Sequence, residues 1–241
     1  MNLALATATT PLDEIRYRLT EASALIFDVD GTLAETEELH REAFNEAFVQ
    51  LGLDWHWGPR IYKELLQVAG GKERIRAFDQ MRRSGPPLTD AVVAELHGVK
   101  TARFAALMAE KGCPLRPGVR PLLDAALARG QTLAIATTTT RANLDALLAP
   151  ALSQAWEARF VAVVAADDVA RKKPAPDVYL EVLSQLDLSG ERCLAIEDSD
   201  NGLLAARRAG IPVLITRSRY FSDDDFDGAL AVVDDLTELA V

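Results

Sequence analysis

Strand-like runs occur at both ends of this chain and none between residues 36 and 112, which limits the available folds more than any other feature. Residues 24–29 (ALIFDV) read as a buried strand, and the spacing of Leu39, Ala43, Ala47 and Leu51 predicts a helix over 36–51. From there to Gly112 the periodicity is only helical, broken at Gly58-Pro59, Gly70-Gly71 and Ser84-Gly85-Pro86-Pro87, as in a helical bundle. After Pro117 strand candidates at 133–137, 160–165, 193–196, 213–216 and 231–233 alternate with helical segments. Such alternation predicts an α/β fold with a parallel sheet covered on both faces. The core is expected to comprise residues 21–35 and 113–241, with 36–112 inserted as a helical unit and 1–20 left as an N-terminal extension.

With 241 residues, 49% of them hydrophobic, the chain can bury a substantial core without covalent staples. Its two cysteines, Cys113 and Cys193, are far apart and match no metal-ligand spacing, so packing roles in a reducing compartment are expected. A formal charge of -10 excludes general nucleic-acid binding, which needs a basic surface. The first residues, MNLALATATTPL, are apolar but lack a basic start, and Asp13, Glu14 and Arg16 follow at once, unlike a signal or transit peptide. No apolar run reaches transmembrane length, so a cytoplasmic protein without a membrane partner is expected, and a monomer.

Ligands of parallel sheets gather at the carboxyl ends of the strands, and the chemistry-bearing residues fall there. FDVDGTL places Asp28 and Asp30 at the end of the first strand, while Glu197 and Asp198 close another in LAIEDSDNG. Either pair alone reads equally well as a turn or a helix cap. Together they would set four carboxylates on one rim. Like charges about 4 Å apart cost about 4 kcal/mol per pair at an effective dielectric near 20, so such a rim calls for a cation. Magnesium suits hard oxygen ligands and keeps positions open for water and phosphate. Thr137 ends another strand and opens the run Thr137-Thr138-Thr139-Thr140, whose hydroxyls and amides can hold phosphate oxygens. Lys173 stands in RKKPAP, where Pro174 and Pro176 restrict the backbone that carries it.

DVDGT at 28–32, the strand ending in Thr137, KKPAPD and LAIEDSDNG occur in the order of the four haloacid dehalogenase superfamily motifs, which they resemble. The resemblance runs from residue 24 to about 235 and implies a Rossmann-like core with a helical cap at 36–112. Within the superfamily, LAETEELHREAFN, LLQVAGGKERI and HGVK resemble the CbbY group, encoded beside Rubisco in some bacteria. The resemblance implies a phosphatase for a sugar bisphosphate, with xylulose 1,5-bisphosphate as substrate and the Calvin cycle as setting. Asp28 is then the nucleophile, forming an aspartyl-phosphate, and Asp30 the general acid and base, which asks for neighbours that raise its pKa. Thr137, Thr138, Thr139 and Lys173 would bind the transferred phosphoryl group. Asp28, the backbone carbonyl of Asp30, Asp198 and Glu197, directly or through water, would hold Mg2+.

In the cap, Lys72 and Arg74 follow Gly70 and Gly71, and His97 and Lys100 lie three apart on one predicted helix. These four are expected to take a second phosphate, the glycines allowing close backbone approach. Glu37 and His40 would read sugar hydroxyls or orient Asp30. The core motifs alone fit equally a β-phosphoglucomutase-like phosphosugar mutase, or a phosphatase for another small phosphorylated metabolite.

Overall fold

Strand β1 (Ala24–Phe27) is buried at all four positions and lies inside a parallel sheet. It pairs with β2 (Thr132–Ala136) on one side and β4 (Cys193–Glu197) on the other, in register from Ala24 to Phe27. β3 (Ala162–Val164), β5 (Val213–Thr216) and β6 (Ala231–Val233) complete the order β3-β2-β1-β4-β5-β6. These relations come from a computed structural model, which describes residues 11–82 and 85–239. Alternate side chains of β1 serve two cores. Leu25 and Phe27 pack with helices α1 (Pro11–Glu21), α6 (Val119–Ala128) and α7 (Arg141–Ala151), while Ala24 and Ile26 share a cluster with α8 (Asp177–Leu186) and α9 (Asp200–Arg208). Burial on both faces explains why these strands are continuously apolar.

β1, β2 and β3 stop slightly earlier than the sequence runs, β4 runs one residue further to take in Glu197, and Asp28, Thr137 and Asp198 lie just beyond the strand ends. Asp28 N still donates to Ile196 O at 3.0 Å and Thr137 N to Val164 O at 3.0 Å, so the ladder fixes both backbones. Residues 1–10 of the N-terminal extension lie outside the described residues, as does Ser84 of the third break. Residues 11–20 belong to α1, whose Ile15 and Leu19, four apart, are fully buried in the core. Gln131 Nε2 donates to the carbonyls of Leu19 and Ala22 at 3.0 and 2.7 Å, tying that helix to the turn before β2. This half of the extension is therefore a covering layer of the sheet.

Between residues 36 and 112 the described residues contain helices only: α2 (Glu37–Gln50), α3 (Pro59–Leu66), α4 (Gly71–Arg82) and α5 (Asp90–Lys111). Phe44, Phe48, Trp55, Trp57 and Tyr62 form their aromatic core, with Trp57 4.5 Å from Phe44 and 4.9 Å from Phe48 between ring centroids. The two connections to the sheet are joined to each other by an antiparallel bridge between Ala34 and Leu115. The buried Arg116 extends that joint. Its guanidinium donates to the carbonyls of Gly31, Arg217 and Asp234 and to Thr216 Oγ1, while Nε lies 3.4 Å from Glu35. No helix among the described residues is long and apolar enough to cross a membrane.

Candidate active site

β1 is followed in the sheet by β2 on one side and β4 on the other, so a crevice opens between β1 and β4 at their carboxyl ends. Asp28 enters it from β1 and Asp198 from β4, with Glu197 completely buried beneath. Lys173, on the loop before α8, donates to Asp28 Oδ1 at 2.6 Å, Glu197 Oε1 at 2.5 Å and Ala136 O at 2.9 Å. Tyr179 OH donates to the same Glu197 oxygen at 2.6 Å. A Cβ on Gly202 would lie 2.0 Å from the Glu197 carboxyl carbon, which accounts for the glycine in DSDNG.

One lysine does not balance this many acids. Oxygens of Asp28, Glu197 and Asp198 all lie within 4.8 Å of one another, and the buried Asp198 Oδ2 has no hydrogen-bond partner. Burial raises the Asp28 carboxyl to about 8, with Lys173 opposing the shift and Glu197 adding to it. Asp198 is pushed well up by burial and then by Asp28 and Glu197. Burial works against charge on Lys173, but the two carboxylates outweigh it and hold the ammonium protonated. Such a cluster suits a hard divalent cation, and the unpartnered oxygen of Asp198 is a ligand in waiting.

Asp30 departs from expectation in two respects. Its side chain does not join that trio: Oδ1 accepts from Thr36 Oγ1 at 2.6 Å and lies 3.1 Å from His40 Nε2, so three carboxylates share the rim and the fourth faces the insertion. Nor do its neighbours raise it. Burial favours the neutral acid, but His40, Thr36 and Lys100 outweigh burial and hold the carboxyl below its ordinary range. His40 stacks on Phe104 at 3.9 Å, and Lys100 Nζ lies 2.6 Å from His40 Nδ1. Burial and Lys100 push His40 down, so a Lys100 ammonium donates to a neutral ring whose Nε2–H donates to Asp30.

Of the sequence-named residues, Glu37, His40, Gly70, Gly71, Arg74, His97 and Lys100 line one cavity with Asp28, Asp30, Thr137, Thr138, Thr139, Lys173 and Asp198. Lys72 does not. It is exposed on α4 and outside the lining. His97 lines the cavity as a neutral ring, pushed down to about 4 by burial, then by Lys100 and Lys72. A Cβ on Gly71 would lie 2.6 Å from His97 Nε2, so the glycine is there for close approach to this ring. Arg74 keeps its charge beside Glu37, 3.9 Å away, and donates to Val68 O at 2.9 Å and Tyr62 OH at 3.3 Å. Glu37 accepts from Tyr62 OH at 2.6 Å. The expected set of four cap cations thus reduces to Arg74 and the shared proton of Lys100 and His40.

Tyr62, Tyr179 and Asn143 are not singled out by sequence reasoning. The two tyrosines read as ordinary apolar positions of amphipathic helices, and only the tertiary structure brings their hydroxyls to Glu37 and Glu197. Asn143 lines the cavity from the first turn of α7, where its spacing from the threonine run is a usable signal.

The Lys100 proton gives a pH test. Burial lowers this lysine to about 7, so it is charged below that pH and neutral above. KM for a phosphorylated substrate should rise above pH 7, by up to about tenfold per pH unit. Lys100→Met should flatten the profile, and an unchanged profile in that variant would assign the titration elsewhere.

Residues 22–210 match the family model described as haloacid dehalogenase-like hydrolase. Protein CbbY of Rhodobacter capsulatus is 51% identical over 220 residues, covering 91% of this chain and 96% of that protein. The crystal structure of CbbY from Rhodobacter sphaeroides in complex with phosphate superposes with a TM-score of 0.85 at 45% identity, covering 90% of this chain and 96% of that one. A mutant of that protein in complex with xylulose-(1,5)bisphosphate matches with the same TM-score of 0.85 and 44% identity, with the same coverage of 90% and 96%.

Proposed function

The chain belongs to the haloacid dehalogenase-like hydrolases and, within them, to the CbbY group of phosphatases, and from that membership we propose that it hydrolyses xylulose 1,5-bisphosphate with magnesium bound. The observation that carries this reading is that one cavity is lined both by Asp28, held by Lys173 at 2.6 Å, and by Arg74 from the inserted helix α4. One charged group meets the reacting phosphate and another the distal one. The similar CbbY mutant that binds xylulose-(1,5)bisphosphate supports the choice of sugar.

Asp28 shares Oδ1 with Lys173, which leaves its other oxygen to attack phosphorus. The phosphoryl group passes to Asp28 and the bond to the sugar oxygen breaks. Lys173 offsets the repulsion between the two anions, and Thr137, Thr138 and Thr139 hold phosphoryl oxygens from the carboxyl end of β2. Asp30 starts as a carboxylate. A phosphate brought against it raises its proton affinity, so that it takes up a proton from solvent as substrate binds, gives that proton to the leaving oxygen and later recovers one from the water that releases phosphate. Asp28, Asp198, Glu197 and the backbone carbonyl of Asp30 would hold magnesium, as the unpartnered Asp198 oxygen suits. When bound, the metal supplies positive charge against the phosphoryl oxygens.

The bisphosphate assignment predicts a selective loss. Arg74→Lys should lower kcat/KM for the bisphosphate by tens to hundreds of fold, about 2–3 kcal/mol for a lost charge-assisted fork. A sugar monophosphate should lose far less. Because Arg74 also braces Tyr62 and Val68, Tm is measured alongside. Equal losses on both substrates would remove the argument for a distal phosphate at this position.

A further inference from the structure

A hydroxyl has one proton to give and two lone pairs to accept with, so the bonds it already makes decide what it can offer a ligand. Thr137 Oγ1 accepts from the Thr139 amide at 3.2 Å, and Thr139 Oγ1 accepts from Asn143 Nδ2 at 2.9 Å. Among the described residues neither hydroxyl donates to a protein acceptor, and both residues line the cavity. Their protons are left for whatever anion enters.

We propose that Asn143 is a positioning residue that makes Thr139 a donor to the transferred phosphate. The inference rests on the reading of the cavity as a phosphate site. Asn143 is 6% exposed, and its Oδ1 is buried without a partner. With the amide reversed, Thr139 would spend its proton on Oδ1 and present lone pairs to the phosphate, while a two-proton amine would be buried unpartnered. The observed orientation keeps one amide N–H in use on Thr139 Oγ1 and leaves one acceptor and one donor without a protein partner, so it alone frees the Thr139 proton. The backbone around the pair is held independently. Asn143 N donates to Thr140 Oγ1 at 3.4 Å, and the Thr139 carbonyl accepts from Ala166 N at 2.8 Å. Removing the Asn143 side chain therefore leaves both the start of α7 and the threonine loop in place.

A double-mutant cycle read by calorimetric binding of inorganic phosphate in magnesium buffer tests this. Asn143→Ala should weaken phosphate binding about 5- to 20-fold, as for loss of one oriented donor to an anion. In a Thr139→Val background the same change should alter binding less than about twofold, and in Thr139→Ser it should keep its full effect. Asn143→Asp, which can only accept, should weaken binding more than Asn143→Ala. A lowered Tm with unchanged phosphate affinity, or equal losses in the wild-type and Thr139→Val backgrounds, would overturn the inference while leaving the phosphatase reading intact. Absence of phosphate binding by the wild-type protein would overturn the phosphate-site reading and this inference with it.

Discussion

Asp28→Asn should lower turnover at least about 10⁴-fold, because an amide cannot attack phosphorus, while the protein stays folded. The electrostatics predict more than retained folding. In the metal-free protein the Asp28 carboxyl is raised from 3.8 to about 8, chiefly by burial, so the folded chain binds a proton there that the unfolded chain has lost. Stability then falls as pH rises from about 4 towards 8, the direction expected where the folded state binds more protons. Asparagine removes that liability. Lys173 keeps Glu197 as a partner at 2.5 Å, so its charge is not orphaned. Metal-free Asp28→Asn should accordingly melt no lower than wild type near pH 8. A purified, folded variant that releases phosphate near the wild-type rate would eliminate Asp28 as the nucleophile.

The second large effect concerns the metal. Three carboxylates facing one lysine imply that chelation abolishes activity and that magnesium restores it. A readout independent of turnover is available. Magnesium at about 100 times its Kd should stabilise the fold by about 2.7 kcal/mol, visible as a rise in Tm. Asp198→Asn removes the buried carboxyl that Asp28 and Glu197 push up, and with it a charged metal ligand. Its metal-free form should melt higher than the metal-free wild type, and magnesium should shift its Tm little. Full activity in excess chelator, or an identical magnesium response in Asp198→Asn, would contradict the assignment of the trio as a metal site.

The sheet is legible in the sequence because each strand is a short, continuously apolar run, and the reacting residues because acids and a threonine stand where those runs end. The side chains' directions are another matter. Asp28 and Asp30 are alike in sequence, but only Asp30 is captured by Thr36 and His40 from the first inserted helix, a contact made by the path of the chain after Gly31. The charge on the cap side differs from expectation for a related reason: burial, which neutralises His97 and shares the proton of Lys100, has no local signature. Lys72 is separable from Arg74 in sequence, since residues two apart on a helix do not share a face. Helix α1 is readable as amphipathic through Ile15 and Leu19, but nothing in its own sequence says that it covers the sheet. Arg116 likewise reads as a surface arginine before a turn, and only the meeting of Gly31, Thr216, Arg217 and Asp234 gives it a buried seat.

The most direct measurement follows both free phosphate and sugar during incubation of purified protein with xylulose 1,5-bisphosphate and magnesium. The account predicts one equivalent of inorganic phosphate per sugar, at a kcat/KM at least about tenfold above that for sugar monophosphates, and none with Asp28→Asn. A rearranged sugar phosphate with no free phosphate would mark a mutase, and equal rates on mono- and bisphosphates would contradict the bisphosphate assignment.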